Sequence, residues 1–198
     1  MSNLIHKRFI VHPYKFNMWI GITSMVMAFA AFTSAYVVKK GDVNVWNNIQ
    51  LPPIFITSTV VIVVSSIFMH AAYLSFKTGR ISLYRGFIIL AFICGASFLT
   101  LQIQGWSQLF NSGVDLGSNV SNSFVYVITG AHFVHVLGGV IALLVFSVLS
   151  FTKYKIKNRS EGETPDKNNI VSVEVMMTYW HFVDILWVYL YFFLILNN

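Results

Sequence analysis

Residues 174–191 read Glu174-Val-Met-Met-Thr-Tyr179-Trp180-His181-Phe-Val-Asp184-Ile-Leu-Trp187-Val-Tyr-Leu-Tyr191. The run is apolar enough to cross a bilayer, yet it carries Glu174, His181 and Asp184. Ionisable groups are expensive in hydrocarbon, so a membrane segment holding several of them hides them in a protein interior or uses them. Their spacing of seven and then three residues brings all three to one side of a helix.

Working outward, four more apolar stretches are long enough to span a membrane, for which about 20 residues are needed. The spans are expected near 16–38, 52–76, 83–108, 123–151 and 173–196. Turn formers separate them: Lys-Lys-Gly-Asp at 39–42, Lys-Thr-Gly-Arg at 77–80, and an Asn, Ser and Gly-rich run at 111–119. Pro52 and Pro53 stand where a second helix would begin and missing backbone donors matter little. A fully polar connection at 157–167 is expected to be mobile. The whole chain, 1–198, reads as a single transmembrane helical domain.

Composition agrees. Of 198 residues 56% are hydrophobic and only 10% charged, far from the balance of a soluble domain. The net charge of +6 does not imply nucleic acid, because the basic residues flank apolar spans instead of interleaving with aromatics. Alternating the connections assigns Lys7, Arg8, Lys15, Lys77, Arg80, Arg85, Lys153, Lys155, Lys157, Arg159 and Lys167 to one side, and only Lys39 and Lys40 to the other. The positive-inside rule then places the N-terminus in the cytoplasm and the C-terminus outside. The cluster from Lys153 to Arg159 reads as a topology signal and a contact for anionic headgroups. Ala28-Phe29-Ala30 resembles a signal-peptide cleavage site, but the apolar span runs on through Tyr36-Val37-Val38, too far for one. The lone cysteine, Cys94, excludes an internal disulfide and any multi-cysteine metal site.

Three readings of the intramembrane polar groups compete. Haem ligation would need two imidazoles from facing helices at one depth, which His70 and His181 could provide. His132 and His135, three apart on one helix, could not be the axial pair of one haem. A proton or ion path would use the Glu174, His181 and Asp184 face. In the third reading each group hydrogen-bonds a neighbouring helix. Small residues (Ala31, Ala35, Gly130, Ala131, Gly138, Gly139, Ala142) would admit close packing, and Ser24, Thr57, Ser65, Ser66 and Thr129 would supply hydroxyl partners. Trp19, Trp46, Trp106, Trp180 and Trp187 are expected to anchor at the membrane interfaces.

Motifs narrow these options. Trp180-His181-Phe182-Val183-Asp184-Ile185-Leu186-Trp187 resembles the last helix of subunit III of haem-copper terminal oxidases, where Trp-His-Phe-Val-Asp-x-x-Trp is specific. Glu174 stands where that family has a glutamate. Thr129-Gly130-Ala131-His132-Phe133-Val134-His135 followed by Gly138 and Gly139 looks like the family's Thr-Gly-x-His-x-x-His helix. Leu101-Gln102, Pro52-Pro53 through Ser65-Ser66 to His70, and Met18-Trp19 through Tyr36 resemble further family segments. The resemblance implies the short, five-helix form.

It also implies an accessory subunit of a proton-pumping respiratory oxidase that reduces oxygen to water. No haem or copper would lie in this chain, both being expected in subunits I and II. The chain would pack on subunit I, with subunit II, a small subunit IV and a supercomplex as further partners. Phospholipid would sit in a cleft between helix groups, in the inner membrane of a bacterial cell. The electron donor would be cytochrome c or a quinol, a small proton-coupled transporter being the reading from another class. His70, His132, His135, Glu174, Trp180, His181 and Asp184 become inter-helix or lipid-headgroup residues, and Asp184→Ala is expected to leave a partner unpaired, at roughly 1–3 kcal/mol.

Two departures stand out. The family's buried glutamate in the first of these helices is Met25 here, in Ser24-Met25-Val26. Its Glu-Tyr after the Leu-Gln helix is Gly105-Trp106.

Overall fold

Each expected span is a helix in the computed structural model, which describes residues 12–42, 46, 49–117, 119–152 and 166–197. The helices are α1 (Pro13–Asp42), α2 (Ile54–Lys77), α3 (Ile81–Asn111), α4 (Val120–Thr152) and α5 (Lys167–Leu196). All five are long and apolar enough to cross a membrane, and there is no strand among the described residues. The basic residues Lys7, Arg8, Lys153, Lys155, Lys157 and Arg159 lie outside the described residues, as does the polar connection up to 165.

Helices α1, α3, α4 and α5 outrun the expected spans through largely polar residues at their ends, whereas α2 begins at Ile54, two residues past its expected start. The tightest connection is Thr78-Gly79-Arg80. There the Arg80 amide bonds the Ser75 carbonyl at 2.9 Å and the Gly79 amide bonds the Phe76 carbonyl at 3.1 Å. This helix-ending motif needs a left-handed residue, and Gly79 supplies it at φ +74. Gly113, at φ +82, ends α3 with the same pair of bonds, from Val114 to Leu109 and from Gly113 to Phe110.

Helices α2, α3, α4 and α5 form a closed four-helix ring, each packing on the next, and α1 docks against α4 and α5. α5 is the hub. It touches α2, α4 and α1, and few of its residues face outward. α1 is the opposite case: it buries only Ile22, Met25, Phe29, Thr33 and Tyr36, a single stripe at three- and four-residue spacing. Polar contacts tie it to α5 at several levels: Lys15 to Glu174 at 2.6 Å, Tyr189 to Thr33 at 3.3 Å, and Tyr36 and Lys40 to the Asn197 carbonyl. Between them α1 stands off, leaving a groove of about 730 Å³ against α4 and α5.

Candidate functional site: the α5 polar face and its aromatic core

Trp180 occupies the centre of the four-helix ring. It is fully buried, and its indole N–H donates to the Ser65 hydroxyl of α2 at 3.1 Å. That hydroxyl donates onward to the Ala91 carbonyl of α3 at 2.9 Å. The ring edges press on two glycines. A Cβ on Gly95 of α3 would stand 2.8 Å from Trp180 Cη2, and one on Gly139 of α4 would stand 2.8 Å from Cζ3. Such distances force something to move, so one indole sets the separation of four helices.

Two turns along, Trp187 repeats the arrangement. Its N–H donates to Thr59 of α2 at 3.0 Å, and its ring stacks on His132 of α4 with centroids 5.1 Å apart. Phe98 of α3 meets both rings edge-on. The expectation that Trp180 and Trp187 anchor at an interface is therefore corrected: both are core residues. Trp19, 59% exposed, does face outward.

The sequence-selected polar residues separate into two groups. Glu174 reaches α1, where Lys15 Nζ lies 2.6 Å from Oε1. His181 reaches α2, its Nδ1 lying 2.5 Å from the Ser66 hydroxyl. His70 of α2 lies beside His181, ring centroids 5.8 Å apart, on the rim of an open cleft of about 380 Å³. Helical spacing does place Glu174 and His181 on neighbouring faces, but two different helices receive them.

Asp184, His132 and His135 belong to the interior side. Asp184 is 3% exposed, and neither carboxylate oxygen has a hydrogen-bond partner among the described residues. The Ser66 hydroxyl is its polar neighbour, and a hydroxyl that accepts from His181 Nδ1 is free to donate toward Asp184. Asp184→Asn, which keeps the shape and an acceptor for the Ser66 hydroxyl, is expected to change stability by less than about 1 kcal/mol. Reversible unfolding in bicelles measures this, and a loss above about 2 kcal/mol would reveal a bonded carboxylate.

His132 is sealed among Phe29, Phe98 and Trp187, with no hydrogen bond at either ring nitrogen among the described residues. His135 bonds its own helix through the Ala131 carbonyl at 2.7 Å. Its carbonyl accepts from the Tyr179 hydroxyl of α5 at 2.8 Å. Among the described residues no three His, Cys, Asp or Glu side chains come together to hold a metal.

The two sequence departures have structural counterparts. Met25 is buried on the α1 stripe and lines the groove against α4 and α5. Gly105 has no room for a side chain, since a Cβ there would stand 2.7 Å from Phe55 Cζ, and Trp106 donates its N–H to Thr129 at 3.1 Å. Of the small residues expected to bring helices together, Gly139 does so, whereas Ala31 and Ala35 face outward and Gly130 meets nothing. Ser65, Ser66 and Thr129 serve as hydroxyl partners, but Ser24 and Thr57 are exposed. Gly95, Ser58 and Thr59 escaped the sequence reading, and Gly105 entered it only as a departure from the family pattern, because nothing local marks which small residue faces an indole or a phenyl ring.

A sequence model of cytochrome c oxidase subunit III matches residues 3–197. The chain belongs to that family. Its relatives include a probable cytochrome c oxidase subunit 3 of Nocardia farcinica, 28% identical over 87% of this chain and 82% of that protein. The cytochrome bo(3) ubiquinol oxidase subunit 3 of Buchnera aphidicola is 25% identical over 92% of this chain and 86% of the relative. A heme-copper oxidase subunit I+III of Aeropyrum pernix is 25% identical over 86% of this chain and 21% of the longer protein. As a member of the subunit III family the chain is a multi-pass membrane protein and part of an oxidoreductase complex, which implies subunit I as its partner.

Proposed function

We propose that this chain is the non-catalytic subunit III of an aa3-type cytochrome c oxidase in a bacterial inner membrane. It holds no redox centre of its own. It packs on subunit I, takes phospholipid into the groove between α1 and the α4–α5 pair, and sustains proton uptake while oxygen is reduced next door. Haem and copper belong to subunits I and II in this reading, with subunit II and a small subunit IV as further members of the assembly. The N-terminus of α1 and the α2–α3 turn face the cytoplasm, and Asn197 faces outside.

One observation carries the reading: within a shared family, the signature residues of α5 are engaged in packing helices. Trp180 and Trp187 fill the ring, Glu174 fastens α1, and His181 fastens α2. The groove suits acyl chains, being walled by Met18, Met25, Ala142, Phe146, Val175 and Met176. Tyr14 and Asn17, near the Lys15–Glu174 pair, lie at one end of it, where a headgroup would sit. The quinol-oxidase relative supports a second reading, in which the complex takes electrons from a quinol.

Gentle detergent extraction tests the proposal. The chain is expected to bring down a protein containing haem and copper, and to show no Soret absorbance once separated from it. Extraction without such a partner, or a Soret band that stays with this chain, would overturn the proposal. A copper centre in the accompanying subunit II is expected for the cytochrome c donor and not for the quinol donor.

The Met25 departure adds a prediction. α1 carries one carboxylate, Asp42, at its last residue beside Lys39. A hydrophobic carbodiimide is therefore expected to leave residues 16–38 unlabelled, as read by peptide mass spectrometry. A label within that stretch would contradict the placement of Met25 at the family's glutamate.

A further inference from the structure

His70 stands apart from the other ionisable side chains on the outside of the bundle. It is exposed on α2, seven residues before Lys77, or about 10 Å along the helix at 1.5 Å per residue. Every exposed Lys, Arg, Asp or Glu among the described residues lies in a connection or within one turn of a helix end. Helix α2 has 24 residues, so His70 stands about 7 Å from its middle. The hydrocarbon half-thickness is about 15 Å, which puts this imidazole inside the apolar layer.

Its surroundings are concave. The cleft of about 380 Å³ between α2 and α5 is lined by Ser66, Ile67, His70, Ala71, Leu74 and His181. Apolar walls with a few converging polar groups, in a volume of roughly 300–1,000 Å³, mark a small-molecule site. His70 makes no hydrogen bond with another described residue. His181 uses Nδ1 on the Ser66 hydroxyl, which leaves its Nε2 over. The two rings stand 5.8 Å apart, tilted by 39°. One oxygen placed between rings at that separation can lie within ordinary N–H···O reach of both. Because the Ser66 hydroxyl can accept from Nδ1 or donate to it, Nε2 can present a proton or a lone pair. The pair can therefore meet a carbonyl oxygen or a hydroxyl group.

Depth selects the occupant. Acyl chains offer an imidazole N–H nothing to bond. Phospholipid headgroups lie at the level of Lys77, two turns away, and ions stay out of the apolar layer because leaving water is too costly. A ring that carries oxygens on an apolar body and moves inside the bilayer meets both demands. We infer that the α2–α5 cleft binds the head ring of a membrane-soluble isoprenoid quinone, as quinone or as quinol. A ring oxygen sits between His70 and His181 Nε2. The tail follows Val60, Val63 and Ile67, exposed along one face of α2, and exposed Ile185 of α5. This binding goes beyond the proposed function and needs only residues of α2 and α5, so it holds for either electron donor.

The test uses the assembled complex in native membranes. The probe is an azido-benzoquinone with a decyl tail, activated by light, and its adducts are mapped by mass spectrometry. Adducts are expected on residues 66–74 of α2 or 178–185 of α5. An excess of decyl-benzoquinone is expected to suppress them. Decylbenzene, which has the ring and tail but no oxygens, is expected to leave them in place. His70→Leu is expected to lower labelling of the cleft by roughly 2- to 12-fold, the range of one hydrogen bond. His70→Gln, which keeps an N–H donor there, is expected to retain most of the labelling. Because His70 is exposed, both variants keep the fold, and an unchanged amount of chain in the membrane checks this.

Adducts spread evenly over the outward faces of α2 and α4, adducts confined to another subunit, or equal suppression by decylbenzene would overturn the quinone site. So would unchanged labelling in His70→Leu, or equal losses in the two variants, since shape and not hydrogen bonding would then govern the cleft. Failure of the chain to co-purify with haem overturns the proposed function and leaves this site standing, because the labelling is read on the chain itself.

Discussion

Trp180→Ala is expected to destabilise the chain by roughly 3–5 kcal/mol, the range for removing a fully buried large aromatic side chain. The loss would come from packing and not from re-exposure to water, since the unfolded reference also lies in lipid. Alanine leaves a cavity where four helices meet and strips the Ser65 hydroxyl of its donor. Collapse cannot heal it, because Gly95 and Gly139 have no side chains to move inward. Trp180→Phe, which keeps a ring but drops the N–H and the outer edge, is expected to lose less. Unfolding by steric trapping in bicelles would read both values. A Trp180→Ala loss below about 1 kcal/mol would place the indole outside the structural core.

The second large effect is at Gly139. Valine there puts three carbons where a Cβ alone already lies 2.8 Å from the Trp180 ring. Tyr179 Cε1, at 3.0 Å, closes another side of the site. The indole has little room to retreat, since the α3 backbone at Gly95 lies so close to its Cζ2–Cη2 edge that even a Cβ there would stand 2.8 Å away. Overpacking of this kind typically costs about 1–3 kcal/mol, and with both directions blocked the upper end is expected. Gly139→Ala, the milder change, becomes nearly neutral when Trp180 is already phenylalanine, because the indole is the obstacle. A double-mutant cycle with coupling above about 1 kcal/mol is the expected result. Simple additivity would mean that the two residues do not constrain one another.

The fold was legible because its signal is one-dimensional. Five apolar runs long enough to cross a bilayer are plain in composition, and the polar turn residues divide them. Partners across helices depend on rotation about each axis, which an all-round apolar helix does not advertise. The tryptophans show the difficulty. The expected fifth span began at 173, which put Trp180 near an end and suggested an interface anchor. The helix begins at Lys167, so Trp180 is its fourteenth residue of 30 and sits mid-helix.

The polar face of α5 was equally visible, and Glu174 and His181 do sit at helix junctions. Spacing alone did not reveal that Glu174 pairs with Lys15, 159 residues away in the chain, or that Asp184 faces Ser66 of α2. Those outcomes are set by α1 and α2, whose approach to α5 depends on which small residues face it. The two glutamines of α3 part company for a related reason. Gln102 and Gln104 stand two apart, and only the bundle shows that one is buried beside Ser58 while the other points outward.

The central claim is that the α5 signature serves structure beside a reaction performed by another subunit. It is tested most directly by oxygen consumption per haem in complexes carrying Trp180→Phe or His181→Ala, scored together with the amount of this chain each complex retains. The account predicts lower retention with an unchanged initial rate per haem in the complexes that keep the chain. Full retention with a collapsed initial rate per haem would contradict it, because these residues would then take part in the chemistry itself.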